Sequence, residues 1–388
     1  MFLQIHFLTS YHATLLNRDD AGLAKRISFG SAPRLRISSQ SQKRHWRTWM
    51  VHQELGLPSG VRTRHVFDRI VKTRLEEDGL DSAAAEALIQ TLAKNLFMST
   101  GDKKPLEEGL AMRQPILFGK PEIDYFVHLI EEASHKETLE LGIAHLDETL
   151  KKKEHRANLA ALMRAAGAAD PMVGFEGAMF GRFVTSDILA RVDAPVHVAH
   201  AFTTHALDTE VDFFTVVDDL ARLEETGAAH ANDMELGAGV FYGYVVVDVP
   251  LLVSNLSGTD SNAWQAQDLL PARRLLELLV HAIAEVTPGA KLGATAPYAR
   301  ADCVVLEVGT SQPRSLANAF LRPVSGTGDV MQSSVGALAQ YISAMDSMYG
   351  PTAELRRVAT TYDWPGMGER QPLTTAIVES LETALGRS

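Results

Sequence analysis

An α+β fold is what the sequence predicts: a small antiparallel sheet, close to a ferredoxin-like (RRM-like) βαββαβ core, interrupted twice and with helices on one face. Three observations predict it. Apolar, β-leaning stretches open the chain and return after Pro171. Between them, from about Val61 to Gly167, the apolar spacing is helical over roughly 100 residues. A polar, acidic excursion, Ala206–Leu236, then separates two further strands.

Phe2–Thr9 reads as a first, central strand. Thr9–Pro33 reads as a long, turn-rich loop, and long loops in compact domains are often functional. Arg34-Leu-Arg-Ile-Ser alternates, which places Arg34, Arg36 and Ser38 on one strand face. Ser39 with Gln42 matches a capping box and opens a helix. At about 100° per residue from Lys43, Arg47 falls near 40° and Arg44 near 100°. Trp46, Trp49 and Met50 fall on the other side, so a basic arc faces solvent and an aromatic arc faces a core.

Val66, Ile70, Val71 and Leu75, then Ala84, Leu88, Leu92 and Leu96, carry the helical spacing onward. Strands are expected at Val196–His205, Gly239–Val249 and Cys303–Val308. Helices are expected at Ala263–Val286, Ala317–Phe320 and Gly336–Met345, with a loop-rich tail before a last helix from Thr374.

Composition is that of an ordinary globular chain: 46% hydrophobic, 22% charged, net charge −11 over 388 residues. The charge is uneven. The first 50 residues carry eight Lys/Arg and two Asp, about +6, which leaves about −17 for the rest. A basic stretch on an acidic protein marks a place to meet a polyanion. The single cysteine, Cys303, sits in an apolar strand and suits a reducing, cytoplasmic setting. No signal peptide or membrane-length apolar run is read.

Several chemistries lack their motifs. There is no G-x-x-x-x-G-K-[ST], no G-x-S-x-G and no H-E-x-x-H. His197 and His205 share a strand face that His200 does not, so the three do not converge on a metal. No cofactor is expected. Asp19 and Asp20 can either hold Mg²⁺ or cap the turns of their own loop.

The motifs assemble into a resemblance. L-N-R-D-D-x-G-x-x-K-x-x-x-F-G (Leu16–Gly30) and R-x-R-I-S-S-Q-x-x-K-R-x-x-R (Arg34–Arg47) are similar to the N-terminal signature of the CasC-type backbone subunits. These belong to the type I-E CRISPR surveillance complex, Cascade, within the RAMP superfamily. G-R-F-x-T-S (Gly181–Ser186), H-A-F-T-T-H (His200–His205), G-x-G-V-F-Y (Gly237–Tyr242), P-G-A-K (Pro288–Lys291) and S-L-A-N-A-F (Ser315–Phe320) resemble later blocks in the same order. Where relatives often carry F-G-G, this chain has Phe29-Gly30-Ser31.

The resemblance implies a palm (1–60, 171–200 and 241–388), helical fingers (61–170) and a thumb hairpin (201–240). It implies a non-catalytic subunit that polymerises head to tail along CRISPR RNA and kinks it periodically for pairing with target DNA. Other Cascade subunits and a recruited helicase-nuclease would be its partners, and no membrane. Arg34, Arg36, Lys43, Arg44 and Arg47 would meet phosphates, with Ser38, Ser39 and Gln40 as further donors. Asn17, Arg18, Lys25, Arg182, Thr203, Thr204 and His205 fall in the matched blocks and join the RNA-binding set, with Phe183 as a wedge against a base. The RAMP superfamily also supplies a second reading, a metal-dependent endoribonuclease using Asp19 or Asp20.

Overall fold

The computed structural model describes residues 1–97, 106–151, 163, 167, 171–182, 191–216, 230–289 and 292–386. The chain forms two compact units. One comprises Met1–Glu54, His197–Val249 and Arg273–Ser388; the other comprises Leu55–Val196 and Pro250–Ala272. Residues 171–196, read from sequence as palm, group with the helical unit. Among the described residues, no helix is long and apolar enough to cross a membrane.

The fold is mixed α+β with a large, mainly antiparallel sheet. In the first unit, β1 (Phe2–Thr14) lies between β9 (His230–Asp248) and β10 (Ala301–Gly309). The sheet continues outward from β10 to β11 (Leu355–Thr360) and β12 (Glu369–Arg370). On the other side it runs from β9 through β7 (Ala201–Thr203) and β3 (Ala32–Ile37) to β2 (Arg26–Phe29). The β11–β12 pair is parallel. Strand β8 (Thr209–Val216) pairs with the first half of β9, from Thr209↔Gly237 to Val216↔His230. The centre of the expected thumb, 217–229, lies outside the described residues.

Both faces of this sheet carry helices, not one as the sequence suggested. On one face Leu8, Tyr242, Cys303 and Val305 pack against Met331, Val335, Leu338 and Ile342. Those four come from the long helix Val330–Tyr349, which the sequence reading had shortened to Gly336–Met345. On the other face Leu3 and Ile5 are fully buried, and Phe7 meets Trp46 edge-on, ring centroids 6.5 Å apart. Trp46 belongs to α1 (Ser39–Val51). The C-terminal helix Leu373–Leu385 is on that face too, where Glu379 pairs with Arg357 opposite Leu306.

One polar cluster sits inside this apolar frame. His6 of β1 and Glu307 of β10 are diagonal neighbours across the strand pair, Nε2 to Oε2 3.5 Å, and both are fully buried. The Tyr242 hydroxyl accepts from the Leu316 N–H (3.1 Å) and so donates to His6 Nδ1 (3.0 Å). Glu307 also receives Arg314 and Arg356, each at 2.6 Å. A buried carboxylate is tolerated only with such partners.

The second unit packs α2 (Lys72–Glu77), α3 (Ser82–Phe97), α4 (Lys120–Ser134) and α5 (Leu139–Lys151) around Phe67, Phe118 and Phe126. A two-stranded antiparallel ribbon, β4 (Gly60–Thr63) with β5 (Ile116–Gly119), joins this core. The helical expectation for this stretch rested on i, i+3, i+4 spacing, and Leu88, Leu92 and Leu96 are buried as that spacing requires.

Candidate nucleic-acid interface

The start of α1 organises the site. Ser38 is the N-cap, its Oγ accepting from the Ser41 N–H at 3.3 Å. The sequence reading placed the cap at Ser39, with Gln42 closing a box. Gln42 instead turns inward and donates to the Ala199 carbonyl at 3.0 Å. Ser38 is fixed from the other side as well, because its N–H donates to Asn17 Oδ1 at 2.9 Å. Gln42, Trp46 and Met50, four apart, form the buried stripe of the helix. Trp49, expected in the core arc, is half-buried and lines the cleft described below.

The loop before β2 is folded onto itself. Asp19 Oδ1 accepts from the N–H groups of Ala21 and Leu23, each at 2.9 Å. The Lys25 N–H donates to the Asn17 carbonyl at 2.8 Å. Glu235 of β9 receives the Ala24 N–H at 2.8 Å and pairs with Arg26. Asp19 therefore closes its own turn, the second of the two roles open to it from sequence. Among the described residues, no three His, Cys, Asp or Glu side chains cluster so as to hold a metal ion.

A second wall comes from far along the chain. His45 Nδ1–H donates to the Ser41 carbonyl (2.8 Å), which leaves Nε2 to accept from the Gly289 N–H (3.3 Å). That imidazole ties α1 to the segment after the helix Leu270–Glu285. Between the walls lies an open cleft of about 970 Å³. Asn17, Arg18, Ser38, Gln40 and Arg44 line one side; Thr287, Gly289, Tyr298 and Arg300 line the other. Arg18 and Arg44 are exposed, and Arg300 is 80% exposed at its side chain. Glu285, the one carboxylate in the lining among the described residues, lies 3.7 Å from Arg300.

Beside the cleft, Arg36 donates to His200 Nδ1 at 3.2 Å. Burial and the charges of Arg36 and Lys25 lower the His200 pKa. The part of that shift that comes from the two cations reflects positive potential on this surface. Partial burial also lowers the Lys43 pKa.

A cationic cleft built at a helix start, with amide and hydroxyl donors, suits a phosphodiester backbone. The family model described as CT1975-like protein matches residues 3–384. The chain belongs to the CT1975-like Cas family. Its fold is shared with a chain of a solved structure titled "CRISPR RNA-guided surveillance complex, pre-nicking". That chain is 27% identical, with a TM-score of 0.80, over 99% of this chain and 100% of the other. A second, titled "CRISPR RNA-guided surveillance complex", is 24% identical with a TM-score of 0.69, over 99% and 100% of the two chains, and shows the likeness of fold. No curated protein matches the sequence.

Within this CT1975-like Cas protein the residues singled out by sequence separate into groups. Asn17, Arg18, Ser38, Gln40 and Arg44 come together in the cleft. Lys25, Arg36, Ser39, Lys43 and Arg47 are half-buried and lie on the same loop, strand and helix, outside the cleft lining. Arg34 is a correction. It is fully buried, and its guanidinium donates to the carbonyls of Thr203, Thr204 and Phe320, each at 2.8 Å. Alternation put it on the face of Arg36, and that face is covered where β3 meets the 317–320 turn.

Thr203, Thr204 and His205 are corrected for the same reason. Thr203 Oγ1 accepts from the Leu35 N–H at 3.2 Å and donates to the His205 carbonyl at 3.1 Å. Thr204 bonds Ser334 at 2.9 Å. His205 Nδ1–H donates to the Ala206 carbonyl (2.7 Å) and Nε2 accepts from Val240 N–H (3.3 Å). The imidazole occupies the space a Cβ would need at Gly239, whose φ is +154°. These side chains hold the first unit together. Arg182 is also internal, paired with Glu122 at 2.6 Å in the helical unit. Phe183 lies outside the described residues. Sequence reasoning missed Tyr298 and Arg300, for which the available signal was the neighbouring P-G-A-K block.

Proposed function

We propose that this chain is a guide-RNA-binding backbone subunit of a CRISPR surveillance complex of the Cascade type. The observation that carries the reading is whole-length likeness to a chain of an RNA-guided surveillance complex. We run such RNA along the cleft. Arg18, Arg44 and Arg300 would neutralise phosphates, and Asn17, Gln40 and Ser41 would donate to phosphate or 2′-hydroxyl oxygens. In this reading these groups meet the backbone and not base edges, so the grip is sequence-independent and specificity is left to pairing, as in other RNA-guided effectors. We place the chain as the type I-E CasC-like subunit, polymerising head to tail and kinking the guide for target DNA to pair. Its role is architectural, and Asp19 serves its own loop.

The test is binding of a spacer-length single-stranded RNA across a salt series, with Mg²⁺ present. Arg18→Ala/Arg44→Ala is expected to flatten the log–log salt slope by about 1.4, at roughly 0.7 per phosphate contact on a single strand. Two RNAs of unrelated sequence should bind alike and stay intact. An unchanged slope removes the cleft from the RNA track. Cutting that is lost in Asp19→Ala or Asp20→Ala replaces the architectural reading with the endoribonuclease.

A further inference from the structure

Tyr298 is the least explained aromatic side chain on this surface. It is 76% exposed, at the rim of a cleft whose other wall is cationic. A single exposed tyrosine is ordinary. The backbone that carries this one is not loose. Thr287, buried at 7%, bonds Ala299 twice: its Oγ1 accepts from the Ala299 N–H (3.1 Å) and lies 3.3 Å from the Ala299 carbonyl. The Tyr298 N–H donates to the Ala296 carbonyl at 2.8 Å, across a turn in which Ala296 takes φ +40°. Upstream, Gly289 is held to α1 through His45. The turn is thus fastened to a buried threonine while its ring is left in water. Fixing the backbone in advance removes much of the ordering cost of presenting the ring to a ligand.

We propose that Tyr298 is a stacking platform for one base of a single-stranded nucleic acid. This rests on the RNA-binding reading of the same cleft and adds a subsite to it. With the phosphodiester chain along Arg18 and Arg44, the bases of that stretch face the opposite wall, where Tyr298 presents a π-face. At about 970 Å³ the cleft is at the top of the roughly 300–1,000 Å³ range of small-molecule sites, with room for a nucleotide. Every base has a π-face, so the platform is indifferent to sequence, in keeping with the cleft's donors.

The experiment compares wild type, Tyr298→Ala and Tyr298→Phe on two strands of equal length. One is an oligouridine carrying a 2-aminopurine reporter; the other is an abasic ribose-phosphate strand. Tyr298→Ala is expected to weaken the base-bearing strand about 5- to 150-fold and leave its salt slope unchanged. Tyr298→Phe should bind within about twofold of wild type, since stacking needs only the ring. The abasic strand should not distinguish the three proteins, and 2-aminopurine quenching should fall only in Tyr298→Ala. If Tyr298→Ala binds oligouridine like wild type while Arg18→Ala/Arg44→Ala still flattens the slope, the platform is wrong and the backbone reading stands. If wild type binds neither strand, both fall. A change in oligomeric state of RNA-free Tyr298→Ala, with equal losses on both strands, makes the ring a protein contact and overturns the proposal.

Discussion

Arg34→Met separates a structural clasp from an RNA contact at the residue where sequence and structure disagree most. The substitution removes a buried guanidinium that donates to Thr203, Thr204 and Phe320 at 2.8 Å and lies 3.3 Å from the His205 carbonyl. Hydrogen bonds to a charged group contribute about 1.5–3 kcal/mol each. They do not add simply, because burying the cation itself carries a desolvation cost. Breaking a buried charged arrangement typically costs about 3–5 kcal/mol, and we expect Arg34→Met to fall there. At about 2–4 °C per kcal/mol for a unit of 150–250 residues, the melting temperature should drop by roughly 6–20 °C. Arg34→Lys keeps the charge but cannot reach carbonyls on both sides, so it should fall between. The assay is calorimetry alongside the RNA salt series, run below the lowered melting temperature. Folded Arg34→Met should keep the wild-type salt slope. An unchanged melting temperature with a slope flatter by about 0.7 would refute the clasp and restore Arg34 to the RNA track.

Two further outcomes follow from the titrating groups. Arg36 and Lys25 help to lower the His200 pKa, so a phosphate that neutralises them should raise it on RNA binding. Histidine NMR titration with and without saturating RNA measures this, and no movement would take Arg36 and Lys25 off the track. Burial alone would raise the Glu307 pKa, but His6 and Arg314 outweigh it and hold it below the usual carboxylate range. His6 is also lowered, chiefly by burial. Both folded values lie below the unfolded ones, so both contributions are full above the unfolded pKa and are lost as pH falls. Urea unfolding should show stability declining below the reference histidine value of 6.5 and more steeply below the carboxylate value of 4.5. Glu307→Gln should shrink the lower limb; an undiminished limb would place the acid sensitivity elsewhere.

Much of this was legible in the sequence, in a graded way. Periodicity found the helical unit because Leu88, Leu92 and Leu96 repeat over several turns. It missed β11, where Leu355–Thr360 is short and surrounded by Pro and Gly, although Val358 there is fully buried. Alternation put Arg34 and Arg36 on one face but could not say that Phe320, nearly 300 residues away, covers one of them. The cap was read one residue late because Asn17 and Ala199 are also remote partners. The Phe29-Gly30-Ser31 departure from F-G-G is harmless in this structure. Gly30 is the position with φ +62° and a backbone carbonyl, that of Leu321, where a Cβ would sit. Local rules place donors on elements; what those donors face is set by contacts the local pattern does not contain.

The same redistribution alters the electrostatic argument. The first 50 residues bring about +6 to a chain of net charge −11. Arg34 is taken into the core and Arg26 is paired with Glu235. Among the described residues, the cleft is lined by Arg18, Arg44 and Arg300, offset by Glu285, a local charge of about +2. Two or three phosphate contacts give a salt slope of only about 1.4–2.1 per copy, or roughly a 7- to 18-fold loss of affinity between 50 and 200 mM salt. A grip that small does not hold a guide strand alone. Under the proposed reading it does not have to, because copies along one strand act together. Each bound copy raises the effective concentration of the strand for the next, so a weak sequence-blind cleft repeated along the guide gives tight retention. Under the same proposal the acidic remainder of each copy would disfavour RNA everywhere else and keep the strand in register with the row of clefts.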